Sequence, residues 1–158
     1  MKLSNSLNEF LNEQIIHEYR NQLIYTQIEA IFENLELKNI AKYFNEQSAQ
    51  EKSHGDMIVK HISDRIGGKV KIGTVDAPDI SEYSIEEIAD TYVSVEQGTT
   101  ESLESIFEFA LENKSYIDLP FLSEMLKEQV EEEDSADNFA TNIKKAKDLV
   151  QFDMLFGE

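Results

Sequence analysis

Four stretches of the chain place apolar residues at the three- and four-residue spacing of an amphipathic helix. The first runs from about Ser6 to Asn34 and the second from about Leu37 to Ile66, where Gly67 and Gly68 stop it. The third opens at Ser84, with Glu87 three residues on as a capping box requires, and extends to Asn113. The fourth opens near Asp118, carries Pro120 in its first turn as helix starts prefer, and continues to about Lys147. The closing stretch LVQFDMLFGE is long enough for one or two more helical turns. Two prolines and six glycines leave these segments nearly unbroken. No repeat recurs at solenoid periods.

The connections fix how the helices are arranged. The turns around NLEL and ENKSYID are short, so helices one and two, and helices three and four, are antiparallel neighbours. Between helices two and three lie the sixteen residues GKVKIGTVDAPDISEY, extended in pattern. At about 3.3 Å each they reach roughly 50 Å. A helix of about 28 residues is roughly 42 Å long. The connection can therefore run the length of a bundle and leave helices two and three parallel. The expected fold is all-α, one domain over residues 1–158: a four-helix bundle with one long crossover and a short C-terminal fifth helix.

Each apolar stripe is interrupted near its own midpoint. Helix one carries Leu11, Ile15, then Glu18, then Tyr25, Ile28 and Phe32; helix two carries Ile40, Phe44, then Gln47, Glu51 and His54, then Ile58 and Ile62. Helix three carries Ile85, Ala89, Tyr92, then Glu96, then Leu103, Phe107 and Ala110. Helix four carries Leu122, Met125, then Gln129 and Glu132, then Ala136, Phe139 and Ile143. Central breaks meet at one level whichever way the helices point. A lone core glutamate is more often a surface residue misread, and a lone His54 more often a satisfied core histidine. Four coincident breaks are a different matter, because burying a carboxylate without a partner costs several kcal/mol. Glu51 and His54, three residues apart on one helix face, can share a metal ion. Two divalent ions would neutralise the four carboxylates Glu18, Glu51, Glu96 and Glu132. An oxygen-rich set with one imidazole and no sulfur suits iron, manganese or zinc. Tyr25, one heptad after Glu18, can reach this layer with its hydroxyl.

Composition agrees with that reading. The chain has no cysteine, which leaves carboxylates and histidines as metal ligands and suits a reducing cytoplasm. The net charge of -18 argues against nucleic acid and anionic membrane surfaces as partners; taken alone it reads first as solubility and self-repulsion between particles, and second as attraction of cations. The opening MKLSNSLNEFLNEQII has neither the continuous apolar core nor the cleavage site of a signal peptide, and no apolar run could span a bilayer.

The segments LNEQIIHEYRNQLIY, AQEKSH, SVEQGTT and FLSEMLKEQVEEE resemble those of a prokaryotic non-haem ferritin, and the resemblance covers nearly the whole chain. It implies the ferritin-like bundle and a ferroxidase, which oxidises Fe(II) with dioxygen or hydrogen peroxide and stores the ferric mineral in a hollow homo-oligomer, usually of 24 subunits. By that resemblance Glu18, Glu51 and His54 match ligands of a first iron, and Glu96 and Glu132 those of a second, with Glu51 bridging. Gln129 matches the glutamine beside the pair and Tyr25 the adjacent tyrosine. Glu128 and Glu131 match ligands of a third iron, but Gln50 stands where the family often has a further glutamate for it. The fifth helix, which lines the four-fold channel in the family, is short here. No haem is expected, since Lys52 occupies the position of the haem-ligating methionine of bacterioferritins. A passive metal-binding cage and a diiron oxidase acting on an organic substrate are the competing readings. Gly98 lies inside helix three at a cost of about 1 kcal/mol relative to alanine, which suggests close packing or a local bulge there.

Overall fold

In the computed structural model, which describes residues 1–157, the chain forms α1 (Asn5–Asn34), α2 (Lys38–Asp64), α3 (Ile85–Glu112), α4 (Leu119–Lys145) and α5 (Leu149–Phe156). Ser4 caps α1 by accepting from the Leu7 amide, and Ser84 and Glu87 close the capping box at α3. Both short turns end their helix in the same way. Glu36 and Lys114 adopt left-handed φ values of 61° and 58°, and Leu37 N–H donates to Phe32 O while Ser115 N–H donates to Ala110 O. These are Schellman-type closures built without glycine.

The four long helices enclose two apolar cores. One contains Ile24, Tyr25, Ile28 and Phe32 of α1, Ile40 and Phe44 of α2, Ile88 and Tyr92 of α3, and Phe139 and Ile143 of α4. The other contains Leu7, Leu11 and Ile15 of α1, Ile58 and Ile62 of α2, Leu103 and Ile106 of α3, and Leu122 and Met125 of α4. The C-terminal half of α1 thus packs with the N-terminal halves of α2 and α3 and the C-terminal half of α4. Helices two and three are parallel, as the crossover length requires. What separates the cores is the polar layer.

The crossover is strapped to α1 by side-chain amides. Lys69 N–H donates to Asn8 Oδ1 at 2.9 Å and Lys71 N–H to Asn12 Oδ1 at 2.6 Å, while Asn12 Nδ2 donates to Lys69 O at 2.8 Å. Farther along, Gln27 Nε2 donates to Pro78 O and Gln27 Oε1 accepts from Ile80 N–H. Ile80 is then fully buried in the first core. Short α5 is anchored by Asp153, whose Oδ1 accepts from Ile40 N–H at 2.8 Å. That carboxylate serves a free donor in the first turn of α2, where Leu37 gives no side-chain cap.

Two expectations are corrected. The buried stripe of α3 is rotated by part of a residue, so that Ile88 and Ile106 are buried whereas Ile85 and Phe107 are only half-buried. A 3.6-residue period does not keep to integer steps over seven turns. At Gly98, α3 runs unbroken and an added Cβ would meet nothing within 4 Å, so neither a bulge nor close packing accounts for the glycine. It borders a cavity between α1, α3 and the crossover, beside His17, Asn21 and Ser94.

Candidate metal centre

Between the two cores, Glu18 and Glu96 are fully buried, and Glu51, His54, Gln129 and Glu132 are buried as well. Glu18, Glu51 and His54 each offer a ligand atom, and these atoms lie within 4.8 Å of one another. His54 turns Nδ1 to Glu51 Oε2 at 3.6 Å and to Glu18 Oε2 at 3.9 Å. Those two carboxylate oxygens are buried and have no hydrogen-bond partner. Such orphans are rare, because each costs the desolvation of a charged group. A cation between them and Nδ1 would satisfy all three atoms.

The neighbours hold the remaining atoms in place. Gln14, one turn before Glu18, donates Nε2–H to Glu18 Oε1 at 3.0 Å, and Gln14 Oε1 accepts from the Ser102 hydroxyl. Glu18 is thereby fixed through one oxygen and leaves the other free. Gly55 lets α1 come close to α2 beside His54, since a Cβ there would fall 2.3 Å from the Tyr19 ring. Glu96 and Glu132 lie outside the mutual 4.8 Å set, but both face Glu51 closely enough to act on its charge. Tyr25 donates its hydroxyl to Glu96 Oε1, and Gln129 donates Nε2–H to Glu96 Oε2 at 3.2 Å. Burial, then the Glu96 charge, holds the Tyr25 phenol well above its ordinary pKa, so it remains a donor.

The carboxyls are held in a strained electrostatic state. Burial first, and the adjoining Glu51 second, raise the Glu18 carboxyl well above the usual range. Burial, with Glu96 and Glu132 adding to it, pushes Glu51 up to about 8. Burial and Glu96 push Glu132 up to about 7. The layer would therefore carry protons at neutral pH that a metal ion would have to displace.

The third-site residues are differently placed. Gln50, Glu128 and Glu131 are all exposed, and Glu128 Oε2 lies 2.9 Å from His54 Nε2. Lys52 points away from the layer and pairs with Asp56 at 2.7 Å. Beside the layer, on the seam of α1 and α3, Thr99 Oγ1 accepts from Asn21 Nδ2 and lies 2.8 Å from His17 Nε2. Burial, then Arg20, lowers His17 to about 4, so the ring is neutral. The contacts of Gln14, Gly55, His17 and Asn21 had no counterpart in the stripe pattern. Gln14 had a usable signal, a polar residue four before Glu18 on the same face.

Four helices converging on a buried set of carboxylates and one imidazole define a ferritin-like metal-binding bundle, and the comparisons agree. The ferritin family, described as a ferritin-like domain, matches residues 8–146. A bacterial non-haem ferritin of Staphylococcus aureus is 36% identical over 131 residues, covering 83% of this chain and 78% of its own. That of Staphylococcus haemolyticus is 33% identical over 141 residues, covering 89% and 82%. An open-pore ferritin of the hyperthermophilic archaeon Archaeoglobus fulgidus superposes with a TM-score of 0.91 at 25% identity, over 98% of this chain and 96% of that one. The chain belongs to the ferritin family, and its similarity within that family is to the bacterial non-haem ferritins. Among the described residues, no helix is long and apolar enough to cross a membrane.

Proposed function

We propose that this protein is an iron-storage ferroxidase. It takes Fe(II) into the polar layer, oxidises it, and deposits the ferric product inside a hollow homo-oligomer of 24 subunits. The observation that carries this reading is the convergence of Glu18 Oε2, Glu51 Oε2 and His54 Nδ1, two of them orphaned carboxylate oxygens. In this reading Glu18, Glu51 and His54 hold one iron, and Glu96 and Glu132 hold a second with Glu51 shared between them. Oxygen donors with one imidazole suit ferrous iron and leave room for an oxidant at each ion. Two ferrous ions supply the two electrons that reduce one dioxygen to hydrogen peroxide, or that reduce hydrogen peroxide to water. Tyr25 and Gln129 orient Glu96, and Gln14 orients Glu18. The protons released when Fe(II) displaces them from Glu18, Glu51 and Glu132 are available to the reduced oxygen product.

The surroundings favour this over oxidation of an organic substrate. On one side of the layer Tyr25, Phe44 and Tyr92 pack with ring centroids 5.1–6.0 Å apart, so aromatic side chains fill the space such a substrate would need. The net charge of -18 suits accumulation of cations, and the lack of cysteine suits the cytoplasm. Aerobic addition of ferrous salt followed by size-exclusion chromatography tests the proposal. Ferric colour should develop faster than in buffer and co-elute with protein at the size of a large assembly. A monomer-sized peak without iron would overturn it.

A further inference from the structure

We infer that Glu128 is the positioning residue of His54, fixing the imidazole tautomer that lets Nδ1 bind iron, rather than chiefly a ligand of a third iron. The inference rests on the metal-centre reading above. It starts from one hydrogen bond, between His54 Nε2 on α2 and Glu128 Oε2 on α4 at 2.9 Å. A carboxylate can only accept, so Nε2 is the nitrogen that carries the hydrogen. In a neutral ring the lone pair is then on Nδ1. Nδ1 is the atom turned to Glu51 Oε2 at 3.6 Å and Glu18 Oε2 at 3.9 Å.

The alternative tautomer has a strong attraction of its own. Nδ1 lies beside two carboxylate oxygens that lack any donor, so a hydrogen on Nδ1 would be welcomed there. That arrangement would satisfy the layer with a proton and leave no lone pair for a metal. Glu128 opposes it by offering the other nitrogen an acceptor. Its side chain is 52% exposed whereas that of His54 is 7% exposed, so water solvates the carboxylate while the ring is held in the interior. A bond from a ligand histidine's second nitrogen to a carboxylate typically changes metal affinity by about 10–100-fold. The third-site partners Gln50 and Glu131 are exposed like Glu128, and neither is hydrogen-bonded to it.

Two variants separate the possibilities. Glu128→Gln keeps an acceptor oxygen but removes the charge, whereas Glu128→Ala removes both. The full chain has three histidines, so ring 15N signals of the metal-free assembly can be assigned by substitution. His54 should carry its hydrogen on Nε2 in the parent and in Glu128→Gln, and shift toward Nδ1 in Glu128→Ala. Anaerobic titration with Co(II) should give a first-site affinity in Glu128→Gln within about threefold of the parent, and one about 10–100-fold weaker in Glu128→Ala. Circular dichroism should show all three equally helical. A hydrogen on Nδ1 in the parent would overturn the inference. So would unchanged first-site affinity in Glu128→Ala, or equal weakening in both variants, which would mark Glu128 as a direct ligand. If the parent binds no Co(II), the metal-centre reading fails, and the 15N result still decides the tautomer.

Discussion

Glu51→Ala and His54→Ala should each remove rapid iron oxidation while leaving a helical assembly of unchanged size. Both residues are on one face of α2, and their free atoms point at the same place as Glu18 Oε2. If losing a ligand costs the bound metal about 3 kcal/mol, the oxidation rate at limiting iron falls by roughly 100-fold. Stability should behave in the opposite sense at Glu51. Its carboxyl is held up to about 8 by burial and by Glu96 and Glu132, so in the absence of metal it burdens the fold instead of supporting it. Stopped-flow oxidation and thermal unfolding, measured on the same samples, check both halves. Parent-like oxidation in both variants would sink the ligand assignment.

The stability of the metal-free protein should fall as pH rises from about 6.5 to about 8. Glu51 has an ordinary value of 4.5 when unfolded and about 8 when folded, so between those limits the folded state binds more protons. Stability declines with pH wherever that holds. The loss from this one group is on the order of a few kcal/mol, and Glu132, raised to about 7, and Glu18 act in the same direction. The buried His17, lowered from 6.5 to about 4, acts in the opposite direction only below about pH 6.5, so the slope from there to pH 8 belongs mainly to the buried layer. Saturating zinc, which binds the deprotonated carboxylates, should flatten or reverse that slope. Glu96→Gln combined with Glu132→Gln should unfold at higher temperature than the metal-free parent yet gain little from zinc. Calorimetry with and without zinc at pH 6.5 and pH 8 gives the comparison. A less stable metal-free variant, or an equal gain from zinc, would show that these carboxylates do not share one metal layer.

Much of this was legible in the residue pattern, for a physical reason. A helix that buries one stripe must write it at a 3.6-residue spacing, and a glutamate in the middle of that stripe is costly enough to be conspicuous. Glu18, Glu51, Glu96 and Glu132 stood out in this way, and Ser84 with Glu87 announced the start of α3. The length of the crossover carried the topology. Other features had no such signature. Asn8, Asn12 and Gln27 read as ordinary polar residues, and only the path of residues 69–80 reveals that their amides strap the crossover down. Gly55 and Gly98 look alike in sequence, yet one admits the Tyr19 ring and the other faces open space. Asp153 caps a helix more than a hundred residues away, which no local pattern could disclose. Glu128 lies on the polar side of α4, and its bond to His54 depends on how two helices are set against each other.

The most direct measurement is anomalous diffraction at the iron edge from crystals soaked anaerobically in ferrous salt. Two strong peaks are expected in every subunit, one touching Glu18, Glu51 and His54 and the other touching Glu51, Glu96 and Glu132. A third, near Gln50, Glu128 and Glu131, should be faint or missing. Iron confined to surface carboxylates, with no peak between the two apolar cores, would contradict the dinuclear centre.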